Sequence, residues 1–320
     1  MNTEKKSSHS VLRKLIPAVA MFAASSVMLS TATYAWFTMN KEVQMTGLNM
    51  SATASEGIEI SLGGVDPSGT LAADLSVTPD DTEDEKGWKS TVVVGNYYND
   101  IGKLMPASSV DGTNFFDATD ASDKGRQATA FKSITLDSNS MAKLDQRATF
   151  DPSGVNTANG DAGYYVDIPV HIRTSKLAST PGEQGDIYCK LIISSEDTVN
   201  KDLYKAVRVA FIPDTPAGTT NIFGADDTYY DPNKAVSSET GKDTVTVITS
   251  CVADGNDFPA GTGEASGLKL PYAASAGTYG HLDFTVRVWL EGESTSCYDD
   301  KAGQAWNISL AFALGEFSTT

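Results

Sequence analysis

The chain has 320 residues, 40% of them apolar, and a formal net charge of −17. That length accommodates one large or two medium domains with a real core. The charge excludes a nucleic-acid partner, repels anionic lipid and favours solubility outside a cell. Residues 1–35 carry Lys5, Lys6, Arg13 and Lys14 against Glu4, a net +3, so without them the charge is about −20.

Residues 1–14 are polar and end in Arg13-Lys14, residues 15–29 are mostly apolar, and Thr33-x-Ala35 fits the small-x-small cleavage rule. This tripartite shape predicts a secretory signal helix over 1–35, cut between Ala35 and Trp36. A retained membrane anchor is the competing reading, since the run reaches ~20 residues. Ser25, Ser26, Ser30, Thr31 and Thr33 dilute its second half. Cleavage is therefore the favoured reading, with membrane contact only before it. There is no LPxTG sorting motif, Leu270-Pro271-Tyr272-Ala273 being a partial echo, and retention at a surface is expected to come from assembly.

After residue 36 the hydrophobic period is two. Val43 and Met45 alternate, Gly47 interrupts, and Leu48, Met50 and Ala52 resume on the other phase. A glycine at a phase change predicts a bulge or bend. Ile58, Ile60 and Leu62 form a second strand. Residues 66–86 are turn-rich and acidic; Asp80, Asp81, Glu83, Asp84 and Glu85 offer oxygen ligands for calcium but lack DxDxDG spacing, so a solvated loop is the better reading. Strands are expected over 91–94, 131–136, 148–150, 164–172, 186–193, 219–223 and 243–248. Pro169 suggests an edge or a bulge in its strand. Residues 102–116 show turn chemistry around Pro106 and Asp111-Gly112. The one helical window is 200–211, where Leu203, Ala206, Val207 and Ala210 share a face, although 207–212 fits a strand equally well. Residues 282–290 (LDFTVRVWL) alternate most strongly, and 306–312 (WNISLAF) follow the same style.

Many short strands, turn-rich connections and one short helix predict an all-β, jelly-roll-like antiparallel β-sandwich with loop-rich insertions, of which 117–163 is the largest. The expected organisation is a signal peptide over 1–35 and a single domain over 36–320, with 36–52 as its N-terminal strand.

No catalytic constellation emerges. His171 and His281 have no nucleophile elbow beside them, HExxH is missing, and no carboxylate pair is singled out. No zinc-type cysteine cluster exists, so no cofactor is expected and the chain is not read as an enzyme. Cys189, Cys251 and Cys297 are odd in number; idle buried thiols are the plain reading, and a Cys251–Cys297 bridge is the alternative. Trp88, Tyr97, Tyr98, Phe115, Phe116, Tyr229 and Tyr230 fall in or near loops, where they cap a core or stack on a sugar or a partner protein.

Two regions resemble a known group. Thr33-Tyr34-Ala35, Trp36-Phe37 and the run 41–52 are similar to the secreted TasA/camelysin-like proteins of Gram-positive bacteria, exported through a SipW-type signal peptidase. Residues 286–292, Cys297 and 308–312 look like the end of related clostridial surface proteins, and 102–116 resembles a segment common in them. The resemblance implies a jelly-roll subunit of extracellular filaments in a biofilm matrix. In such a filament the N-terminal strand of one copy completes the sheet of the next, with Val43, Met45, Leu48 and Met50 filling pockets and Gly47 as the bend. The partners it implies are further copies of the chain, other matrix or surface proteins, and the signal peptidase. Camelysin members were described as metallopeptidases; this chain has no zinc-ligand motif, so that activity is not carried over. A surface adhesin or carbohydrate-binding sandwich using Trp88 and Tyr229 is the rival expectation.

Overall fold

The computed structural model describes residues 43–44, 57–82, 87–100, 102–109, 111–118, 131–152, 161–195, 202–214, 220–226, 247–292, 294, 296–297, 304 and 306–318. The expected signal, its cut at Ala35 and Trp36, and Met45, Gly47, Leu48 and Met50 lie outside the described residues. The chain divides into two units, Met1–Lys41 and Glu42–Thr320, and every described residue belongs to the second.

In chain order the described strands are β1 (Val43–Gln44), β2 (Ile58–Ser61), β3 (Tyr98–Asp100), β4 (Lys103–Leu104), β5 (Ser108–Ser109), β6 (Phe115–Ala118), β7 (Phe131–Ser133), β8 (Asp145–Gln146) and β9 (Ala162–Gly163). The longer ones follow: β10 (Tyr165–Thr174), β11 (Gln184–Ser195), β12 (Val207–Pro213), β13 (Ile222–Gly224), β14 (Val252–Ala253), β15 (Glu264–Pro271), β16 (Gly280–Leu290) and β17 (Trp306–Leu314).

The strong alternation of 282–290 produces the centre of the main sheet. Leu282, Phe284, Val286, Val288 and Leu290 are buried on one side of β16, as a period-two strand with one core face requires. Along its edges β16 pairs antiparallel with β10, from Tyr165↔Trp289 to Thr174↔Gly280, and with β12, from Val207↔Leu290 to Pro213↔Phe284. The five-stranded order is β13-β12-β16-β10-β2. Opposite it, β11 carries β17 on one edge and β15 then β14 on the other. Successive long strands alternate between the sheets: β10, β12 and β16 in one, β11, β15 and β17 in the other. This crossing makes the sandwich jelly-roll-like and all-β.

The layers meet through aromatic rings. Phe211 of β12, Phe284 of β16 and Phe312 of β17 are all buried, with centroids 5.3 Å (Phe211–Phe312), 5.7 Å (Phe284–Phe312) and 6.0 Å (Phe211–Phe284) apart in edge-on arrangements. Burying each such ring contributes about 2–3 kcal/mol, and the edge-to-face geometry adds to that.

Three local expectations are corrected. Among its described residues, 202–211, the helical window holds a 3-10 turn, Leu203–Ala206, and the strand alternative for 207–212 is the one realised, the chain turning extended at Val207. Val207, Val209 and Phe211 face the core from β12 because pairing with β16 overrides a weak helical pattern. Residues 91–94 form no strand but lead into a second 3-10 turn, Val94–Asn96, closed by Tyr97 N–H donating to the Val94 carbonyl at 3.0 Å. Residues 148–150 contribute only a bridge, Thr149 to Thr70. Pro169 pairs with Thr285 on β16 but lies past the end of β2, whose register starts at His171. Its missing N–H therefore interrupts no ladder with β2.

Candidate functional site

Of the residues expected to drive assembly, Val43 is described. Val43 and Gln44 form an antiparallel ladder with Leu104 and Lys103 of β4. On its other edge β4 pairs in parallel with β9, Lys103↔Ala162 and Leu104↔Gly163. The receiving strand is anchored on both flanks of the sequence. Asp100 Oδ1 accepts the Gly102 N–H at 2.8 Å, and Met105 N–H donates to the Gly163 carbonyl at 2.7 Å. Gly102 has φ +74°, and a Cβ there would sit 2.7 Å from Lys143 N and 3.0 Å from the Asp161 carbonyl oxygen. Only glycine fits so close an approach in the left-handed region.

Residues 107–116 continue from this strand across the outer face of the main sheet. Ala107 N–H donates to the Leu290 carbonyl at 3.0 Å. Glu291, fully buried, accepts from Ser108 Oγ at 2.5 Å and from Ser109 N–H at 3.3 Å. The expected turn at Asp111-Gly112 is present: Asp111 accepts the N–H groups of Thr113 (2.8 Å) and Asn114 (2.7 Å). Arg287 then pins it. Its Nη1 donates to the Gly112 carbonyl at 2.7 Å, and its Nε and Nη2 grip Asp167 with two bonds of 2.7 Å. Burial alone would lower the Arg287 pKa; the bonds and charge of Asp167 overcome this and leave it raised. Phe115 stacks on Tyr165 at 5.2 Å and meets Trp289 edge-on at 5.7 Å. The segment 102–116 thus joins the N-terminal strand to β16. Its turn residues announced the bend. Nothing in the sequence announced Arg287 or Glu291 as its anchors, since both sit in or beside a strand whose apolar alternation dominates.

A second polar cluster lies where β2, β10 and β16 meet residues 74–89. His171, 1% exposed, bonds Asp283 Oδ1 through Nδ1 at 2.7 Å and the Leu75 carbonyl through Nε2 at 2.9 Å. Thr78 Oγ1 donates to the other Asp283 oxygen at 2.6 Å. Burial would raise the Asp283 pKa, but the His171 and Thr78 bonds and the charges of both histidines hold it below the usual carboxylate range. Asp214 is pushed up by burial and by Asp283. This is no nucleophile relay: the imidazole nitrogen away from the carboxylate faces a backbone carbonyl, and the threonine hydroxyl is spent on Asp283. Two residues on, Arg173 is buried between the Trp88 and Tyr279 rings, 4.7 and 4.0 Å from their centroids. It bonds Glu59 at 2.7 Å and the Asp81 carbonyl at 2.9 Å.

The described part of the acidic run therefore bonds to other residues of the same chain. Asp81 faces Arg173 and His281, while Asp80 accepts from Thr82 N–H at 2.9 Å. Among the described residues no three carboxylate, histidine or cysteine side chains form a metal-binding group. Trp88, Tyr97, Tyr98 and Phe115 are all buried, and Trp88 Nε1 donates to the Asp80 carbonyl at 3.2 Å. These rings cap the core and are not presented to a sugar; Tyr229 and Tyr230 lie outside the described residues.

All three cysteines are buried and none is in a disulfide. Cys251 is not bridged to Cys297; burial first, then the neighbouring Cys251 thiol, pushes the Cys189 pKa well up. No model of a known protein family, no curated protein and no solved structure matches the chain.

Proposed function

We propose that the chain is an exported structural subunit that assembles into an extracellular fibre by exchanging its N-terminal strand between copies. The observation that carries this reading is the ladder of Val43 and Gln44 on β4. A strand that pairs with an edge of its own chain can make the same bonds to that edge on a neighbour, and such an exchange is a low-cost route to association. Residues 53–57, between the exchanged strand and β2, would be the hinge, spanning up to ~18 Å when extended. Head-to-tail exchange that does not close generates a fibre.

The TasA/camelysin-like run at 33–37 and 41–52 and the segment 102–116, which resembles one in clostridial surface proteins, support the same reading, because the ladder joins them. Cleavage after Ala35 by a signal peptidase would release Trp36 and the strand behind it from the membrane. The surface charge of the cleaved chain suits a secreted or matrix location. In this reading Met45, Leu48 and Met50 extend the exchanged strand beyond Gln44, with Gly47 as its bend. An adhesin or sugar-binding role would have to use aromatics other than the buried Trp88, Tyr97, Tyr98 and Phe115. Deleting residues 36–52 is expected to leave a folded monomer; fibres of unchanged appearance by negative-stain electron microscopy would overturn the proposal.

A further inference from the structure

We propose that Cys189 and Cys251 form a disulfide, a covalent modification site that ties the chain entering β14 to the central strand β11. Leu191 N–H donates to the Cys251 carbonyl at 2.9 Å, and the parallel register sets Leu191 against Val252. Cys189 lies two residues before Leu191, so both side chains point to the same side of β11. Cys189, Leu191 and Cys251 belong to one interior cluster, the two cysteines 0% and 2% exposed. The Cys251 thiol is close enough to Cys189 to help raise its pKa. On one edge of β11, Cys189 pairs with Glu264 of β15, and Cys251 arrives one residue before Val252, the partner of Leu191. The two cysteines are therefore diagonal neighbours along that edge, and a disulfide spans Cα separations of about 4.4–6.8 Å.

The chemistry is a two-electron exchange. The two thiols lose two protons and two electrons as one S–S bond forms. The electrons pass to a disulfide acceptor, a small molecule such as oxidised glutathione or an oxidoreductase in its disulfide form, whose own S–S bond breaks into two thiols. A thiolate must attack, and neither sulfur is accessible once the sandwich has closed. The bond therefore forms while β14 docks on β11 during folding. It would close a loop of about sixty residues and raise Tm by on the order of 10 °C. Assembly plays no part in this chemistry, so the two proposals succeed or fail separately.

The test is a peptide map of the full chain, unfolded, refolded with oxidised and reduced glutathione, and digested without reduction. The expected product is a linked peptide pair holding Cys189 and Cys251, two hydrogens lighter than its separated halves, kept in Cys297→Ser and lost in Cys251→Ser. Dithiothreitol is expected to lower Tm by about 10 °C in the native chain and in Cys297→Ser. Recovery of Cys189 and Cys251 as free thiols by alkylation in denaturant, or either one linked to Cys297, overturns the proposal. The native chain's map decides the matter even where Cys251→Ser fails to fold.

Discussion

Arg287 holds three groups at once: the two oxygens of Asp167 and the carbonyl of Gly112. Both charged partners are largely buried, so truncating Arg287 strands the Asp167 carboxylate. Arg287→Ala is expected to cost about 2–4 kcal/mol, read as a shift of the urea midpoint. Arg287→Lys should recover only part of this, because an ammonium lacks the planar fork that grips Asp167. Asp283 makes a pH prediction. Its folded pKa is depressed from 3.8 despite burial, through His171 and Thr78, so its stabilising contribution is complete above the unfolded value and is lost as pH falls through the folded one. Thermal melts from pH 6 down to about 2 should show Asp283→Asn losing less stability than the native chain across the acid limb. Equal slopes would contradict the assignment. These residues mark the limit of sequence reading: the alternation on β16 says which side of the strand Arg287 and Asp283 occupy, but their partners come from β10 and from segments more than a hundred residues away, which no local spacing encodes.

Among the elements, β17 joins the two layers. Phe312 contacts Phe211 and Phe284, and Phe312→Ala is expected to destabilise by about 3–5 kcal/mol, measured by denaturant unfolding. The strand β4 depends on Gly102. Gly102→Ala places a methyl against Lys143 and Asp161 backbone in an unfavourable φ region, with an expected cost of at least about 2 kcal/mol. On the assembly account it also slows fibre growth, because the receiving strand is displaced. Strands with a period-two apolar run, β10, β11, β16 and β17, were legible from residue order. Residues 200–211 were legible only as a choice: Leu203 and Ala206 mimic a helical stripe, 207–212 fits a strand equally well, and pairing with β16 decides that Val207 onward is extended. The short strands β3, β4, β8 and β9 carry too few residues to show a period; they exist because neighbouring backbone groups supply their bonds.

For the whole molecule, a net charge of −17 keeps copies apart unless a specific contact overcomes the repulsion, so fibre growth is expected to accelerate with added salt as screening shortens the repulsion to about 8 Å at 0.15 M. Backbone pairing, unlike ion pairing, survives that screening. The sequence alone made the N-terminal run a candidate for such pairing, while the strand that receives it, β4, became visible only in the folded chain. The pairing of Val43 with Leu104 offers the most direct test. Chains carrying Val43→Cys are mixed with chains carrying Leu104→Cys under mild oxidation, and the products are run on a non-reducing gel with the linked peptides identified by mass. Strand exchange predicts covalent links between the two kinds of chain, appearing as fibres form. Closure only within the single chain of the Val43→Cys/Leu104→Cys double variant, with no link between copies in fibres, would contradict the account.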